Sequence, residues 1–160
     1  MKLRYVRGKL MDKNNILTAL IPYFEKDEKL FLLICDYGFG AIDNIKNKFP
    51  GRVINAGIRE QATIGIAAGM AMAGMKPIVF GIINFIVFRA LEQIRNDIVL
   101  QKLNVKLIGI GANDYFKFLG PSHTTSGIDI KIMHEINMPI WYAPDFENWI
   151  ASDEAGYIRL

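Results

Sequence analysis

Two hydrophobic periods alternate along this chain and predict an α/β fold: a three-layer domain with a mainly parallel sheet covered by helices on both faces. Three observations carry that expectation. The strand-like runs are apolar throughout, as strands buried on both faces are. Between them lie stretches with apolar residues at helical spacing. The length, 160 residues with 51% hydrophobic and 22% charged, suits one domain with a substantial core.

The elements come in this order. Asn14 to Phe24 carries Ile16, Leu17, Leu20 and Ile21 at helical spacing, with Pro22 placed to end or bend it. Leu30 to Cys35 reads as a buried strand and Arg52 to Asn55 as a short one. Gln61 to Ala73 is a helix of small residues closed by Gly74. Pro77 to Ile83 is a strand, Arg89 to Lys102 a helix, Val105 to Ile110 a strand, Ile128 to Ile136 a helix, and Ile140 to Ala143 a strand. No repeat, low-complexity segment or linker interrupts this order, so residues 1–160 read as a single domain. In parallel sheets ligands gather at the carboxyl ends of strands, which directs attention to the segments after Ile54, Ile83 and Ile110.

Composition narrows the function classes. The net charge of +3 arises from 19 basic and 16 acidic residues scattered along the chain. The densest basic cluster, Lys2, Arg4, Arg7 and Lys9 around Tyr5, reads as a solvated face, so no nucleic-acid partner is expected. One cysteine, Cys35, excludes an internal disulfide and cannot build a zinc site alone. It lies in an apolar run, where it reads as a small buried hydrophobe. The apolar stretch from Ile64 to Phe88 is split by Lys76-Pro77 into pieces shorter than the ~18 residues of a spanning helix. No signal peptide is visible, so a soluble cytoplasmic protein is expected, with no membrane partner.

Glu60 falls in the first turn of the helix after the Asn55 strand, where a carboxylate complements the helix dipole. Gly65, Ala68, Gly69 and Met72 are spaced to share one face of that helix, with Ile64 nearby. Each glycine costs ~1 kcal/mol against alanine inside a helix. Two of them four apart suggest that another backbone, belonging to a partner subunit, packs closely there.

The block from Phe49 through Pro50-Gly51-Arg52-Val53-Ile54-Asn55-Ala56-Gly57-Ile58-Arg59-Glu60-Gln61 resembles the "fPdR…n.GI.Eq" signature of transketolase-like thiamine diphosphate enzymes, in their pyrimidine-binding domain. The likeness continues through Gly65, Ala67-Ala68-Gly69, Ala71 and Gly74 to Lys76-Pro77-Ile78-Val79. Arg89-Ala90-Leu91-Glu92-Gln93-Ile94-Arg95-Asn96 is similar to "RAydQIRn", and Gly120-Pro121-Ser122-His123 to "G.tHq". Pro144-Asp145 resembles "P.D..E", and Gly156-Tyr157-Ile158-Arg159-Leu160 the "g..YiRl" ending. Ordered matches run from about Phe31 to Leu160.

The resemblance implies the thiamine diphosphate-binding fold and a cofactor site built around Ile58, Glu60, Phe85 and Phe88. Glu60 would hydrogen-bond a ring nitrogen of the cofactor's aminopyrimidine in a dry pocket and favour its imino tautomer, which takes up the acidic thiazolium proton. Phe85 and Phe88, at the family's "F..F" spacing, would wall the ring, although about three residues carried by many relatives are lacking between Phe88 and Arg89. His123 would donate to substrate oxygens or shuttle a proton. His134 belongs to no motif and reads as helix surface.

No Gly-Asp-Gly, the family's metal–diphosphate motif, occurs in the sequence. The resemblance therefore implies that Mg2+ or Ca2+ is held through the diphosphate by a partner chain bearing the diphosphate-binding domain, in a heterotetramer or around a homodimer core. Three positions depart from the transketolase pattern: Leu119 stands where relatives carry Asp, Ala143 where they carry Arg, and Gly40 where they carry Ser. The last two substitutions remove phosphate contacts. The expected function is the pyrimidine-binding subunit of a split enzyme that transfers a ketol or acyl unit between sugars or from a 2-keto acid. A beta subunit of a 2-oxoacid dehydrogenase and a non-catalytic interaction or regulatory module are the alternatives. The strand entry at Asn104 to Lys106 points to the transketolase side.

Overall fold

Six parallel strands form the central sheet, and the way their side chains alternate explains both covering layers. The computed structural model describes residues 5–6, 9–10 and 13–160, with side-chain surroundings from residue 15 onward. The N-terminal basic cluster at Lys2, Arg4 and Arg7 lies outside the described residues, and of Lys9 only the backbone is described. A short antiparallel pair, β1 (Tyr5–Val6) and β2 (Lys9–Leu10), precedes helix α1 (Lys13–Lys26). Next come β3 (Leu30–Ile34), α2 (Asp43–Lys48), β4 (Val53–Asn55), α3 (Glu60–Met72) and β5 (Lys76–Ile82). A helical stretch is then reached in which wide π-helical turns at Asn84–Arg89 and Ile94–Val99 flank α4 (Leu91–Gln93). The chain ends with β6 (Lys106–Ile110), a loop of short 3-10 turns, α5 (Ile128–Glu135), β7 (Ile140–Trp141), α6 (Phe146–Ala151) and β8 (Gly156–Arg159).

The strand order is β4-β3-β5-β6-β8-β7, with every neighbouring pair parallel. Successive residues of a strand face opposite sides of the sheet. Leu30, Leu32 and Ile34 of β3, Ile78 and Phe80 of β5, Ile108 of β6 and Ile158 of β8 join the core packed under α1 and α6. Their neighbours Leu33, Val79, Leu107 and Tyr157 join the second core under α3, the π-helical stretch and α5. Both faces of the central strands β3, β5 and β6 are therefore dry, which is why their interiors are apolar, whereas the edge strand β4 exposes Ile54 and Asn55.

Several sequence expectations are corrected in detail. Pro22 does not end α1, which runs on to Lys26; the missing N–H forfeits one bond, and the buried Leu20, Ile21 and Phe24 hold the helix regardless. Helix begins at Asn84 rather than Arg89, because the first turn is π-helical and widens the apolar spacing. Helix α2, helix α6 and strand β8 add to the predicted elements, and β8 is inserted between β6 and β7. Gly74 closes α3 as expected: it takes a φ of +85°, and Met75 N donates to Met70 O at 3.0 Å across it. Among the described residues, no helix is long and apolar enough to cross a membrane.

The chain crosses from β4 over β3 to β5, so the strand order reverses there, and in such sheets ligands bind at this switch point, here the carboxyl ends of β3 and β5. Glu60, Phe85 and the loop holding His123 come after β4, β5 and β6 respectively, on that same edge. Asp129, wholly buried on α5, anchors the helix that the His123 loop leads into. It accepts hydrogen bonds from Tyr157 Oη at 2.8 Å and Arg159 Nε at 2.8 Å on β8.

Candidate active site

Glu60 is the first residue of α3 and only 2% exposed, so its carboxylate needs a partner to offset the water it has lost. Arg89 supplies it. Arg89 Nη1 donates to Glu60 Oε2 at 2.6 Å, bridging the start of α3 and the end of the first π-helical turn. Among the described hydrogen bonds only Oε2 is engaged, which leaves Oε1 as an acceptor for an incoming group. The dry setting expected for Glu60 is present, but it comes with a counter-charge that sequence reasoning did not assign.

The same guanidinium lies over the Phe85 ring, 4.4 Å from its centroid. Phe85 in turn meets the His123 ring edge to face, with centroids 5.0 Å apart. Glu60, Arg89, Phe85 and His123 thus form one continuous chain of contacts drawn from three segments. Asn84, buried beside Phe85, donates from Nδ2 to Thr124 O at 2.9 Å and ties the His123 loop to the helix. From the other side, Asp114 accepts from Thr125 N at 3.1 Å and Ser126 N at 2.8 Å. Asp114 takes a φ of 58° and Ser126 a φ of 47°, left-handed conformations that these bonds help to hold. Ser122 Oγ lies 3.0 Å from His123 Nδ1, which directs Nε2 as the ring atom left for other partners.

Ile58 and Phe88 stand outside this chain of contacts, with 68% and 38% of their surfaces exposed. Cys35, at the end of β3, is buried as expected, and burial pushes its thiol up to about 11, with Glu60 adding to the rise and Thr63 and Arg89 opposing it. His134 is 83% exposed on α5, as expected for helix surface. Of the departures from the transketolase pattern, Leu119 is half exposed in the His123 loop, Ala143 is buried, and Gly40 has a φ of +80° with open space around it.

The donor set is of the kind a pyrimidine ring asks for: a buried carboxylate with one oxygen unengaged among the described hydrogen bonds, in a contact chain that includes the Phe85 ring. Among the described residues, no group of three or more His, Cys, Asp or Glu is placed to hold a metal ion.

The outer face of α3 is uncharged. Gly65 and Gly69 lie on it with no atom within 4 Å of where a Cβ would stand, flanked by Ile66 at 54% and Met72 at 73% exposure. Ile64 and Ala68 instead point into the core, a correction to the face expected from spacing.

Comparisons with known proteins point to one family. The chain is 27% identical over 157 residues to a 6-deoxy-6-sulfo-D-fructose transketolase subunit of Clostridium sp. MSTE9, covering 92% of this chain and 48% of that protein. It is 33% identical over 101 residues to an apulose-4-phosphate transketolase subunit of Actinobacillus succinogenes, covering 63% of this chain and 32% of that one. A split-gene transketolase solved as an inactive β4 tetramer superposes with a TM-score of 0.79 at 28% identity, covering 92% of this chain and 50% of that chain. The chain therefore spans half or less of the length of these relatives. Six parallel strands between two helical layers make this the thiamine diphosphate-binding fold that transketolases share. Residues 13–148 match the transketolase pyrimidine binding domain, and the chain belongs to that family.

Proposed function

We propose that this chain is the pyrimidine-binding subunit of a split, transketolase-like transferase that depends on thiamine diphosphate and moves a ketol or acyl unit. The observation that carries this reading is Glu60: buried at a helix start on the carboxyl edge of the sheet, with one oxygen tied to Arg89 and no hydrogen bond described for the other. Bound here, thiamine diphosphate would supply the carbon nucleophile and the electron sink of the transfer.

The chain's own residues divide the work. Glu60 Oε1 accepts from, or shares a proton with, a ring nitrogen of the pyrimidine. Phe85 forms one wall of its pocket, and the exposed side chains of Ile58 and Phe88 become further walls once a partner covers them. His123 Nε2 faces the substrate as donor or proton carrier, held by Asn84, Asp114 and Phe85 around it. Mg2+ or Ca2+ and the diphosphate belong to a partner subunit, whose docking surface includes the uncharged Gly65/Gly69 face of α3. Sugars or 2-keto acids are the substrate class. Ala143 and Gly40 offer no side-chain contact to a phosphate, which favours an unphosphorylated acceptor or phosphate contacts made by the partner.

The likeness to transketolase subunits supports this reading over a 2-oxoacid dehydrogenase beta subunit. Retention of Glu60, Phe85 and His123 in one contact chain supports it over a non-catalytic module. Calorimetry tests it. With Mg2+ and thiamine diphosphate the chain alone gives weak or no binding, whereas its mixture with a neighbouring-gene product bearing Gly-Asp-Gly binds the cofactor and turns over. Tight binding by the chain alone, or an inert mixture that binds cofactor fully, counts against it.

A further inference from the structure

We propose that Arg89 is the positioning residue of this site, holding Glu60 directly and His123 through Phe85; the inference rests on the roles assigned above to Glu60 and His123. A carboxylate with both oxygens free rotates about its terminal bond, and its acceptor direction wanders. With Oε2 fixed at 2.6 Å by Arg89, the direction of Oε1 is fixed too. The guanidinium lies over the Phe85 ring, 4.4 Å from its centroid, and that cation–π contact restrains it in turn. Phe85 is the surface on which the His123 ring rests, at 5.0 Å.

The geometry asks for arginine specifically. A planar, delocalised head can lie flat on a ring and point one N–H along its own plane at a carboxylate, which a lysine ammonium cannot do. Arg89 keeps 40% of its side chain exposed while Glu60 keeps 2%, so the charge pair sits with its negative end inside and its positive end at the mouth. Asn84 and Phe85, adjacent on the same π-helical turn, grip the His123 loop at two points, Thr124 O and the imidazole. One helical turn thereby sets the orientation of residues that lie 63 positions apart in sequence, Glu60 and His123.

Two measurements on the chain itself, without cofactor, test the assignment. The first is a thermal-unfolding cycle of R89M, E60Q and R89M/E60Q. An ion pair to a buried carboxylate predicts that R89M lowers Tm by several degrees in the native background and changes it little once Glu60 is glutamine. The second is the 1H–13C spectrum of the His123 ring. R89M and R89K both move the ring signals, because both remove the guanidinium from over Phe85, whereas R89K alone recovers most of the lost Tm. R95M, at an exposed arginine, leaves the His123 signals in place. Additive effects in the cycle, or native His123 signals in R89M, overturn the proposal. Neither readout involves turnover, so failure here leaves the proposed function standing, and failure of the cofactor experiments leaves Arg89 tested on its own terms.

Discussion

Replacing Gly69 gives two effects of opposite sign, and together they test why a helix keeps glycines it could do without. In the structure nothing lies within 4 Å of the Cβ position at Gly69 or Gly65, so a methyl group there meets no steric resistance in the isolated chain. Gly69→Ala then recovers the helix-propensity cost of glycine, about 0.5–1 kcal/mol. For a chain of this size that raises Tm by roughly 2–4 °C per kcal/mol, hence by about 1–4 °C. Gly69→Leu keeps most of that gain and fills the space a partner's backbone would enter. Sedimentation velocity, on the chain alone and mixed with the proposed diphosphate-binding subunit, should show assembly lost in Gly69→Leu while circular dichroism stays native. Native assembly in Gly69→Leu would refute the interface. A fall in the monomer's Tm for Gly69→Ala would refute the claim that the glycines are free of intradomain contact.

The other expectations concern stability and pH. Asp129→Ala leaves Arg159 and Tyr157 buried without their acceptor, at a cost of about 3–5 kcal/mol, or roughly 6–20 °C in Tm. A loss under ~1 kcal/mol by urea unfolding would mean that water replaces the carboxylate. Lys106 is 3% exposed, and burial lowers its ammonium to about 8 from an ordinary 10.5. Between those values the unfolded chain binds a proton the folded chain lacks, so stability rises with pH from about 8 to 10.5, by about 3 kcal/mol. Below that window the contribution is lost, and Lys106→Met removes the slope; an identical pH profile in the variant would show that the contacts to Ser152 and Glu154 keep the ammonium charged.

The sheet was legible because burial on both faces leaves runs such as Leu30–Ile34 and residues 107–110 of β6 with no polar position to break them. Helix α2 was not, since its six residues contain one buried side chain, Ile45, too few for any period to show. The π-helical start at Asn84 was missed because a wider turn displaces the apolar residues from the 3.6 spacing. At the site, Glu60, Phe85 and His123 could be named from motif and position. Arg89 stood in the motif without a role, because its contact with Glu60 spans 29 residues and exists only once α3 packs on the π-helical turn. Asn84 and Asp114 gave no signal either; each acts through a backbone group of the His123 loop, which leaves no trace in residue type.

The central claim is that the Glu60 carboxyl takes part in proton transfer at the cofactor. Glu60→Gln keeps the side chain's size and its ability to meet a ring nitrogen, and removes its ionisable proton. The direct measurement is exchange of the thiazolium proton, followed by NMR in the assembled enzyme at saturating cofactor, alongside turnover. In the variant, cofactor binding should weaken modestly while exchange and turnover fall by roughly two orders of magnitude or more. Exchange as fast as in the native protein would contradict it, remove Glu60 from the chemistry, and leave this chain a scaffold.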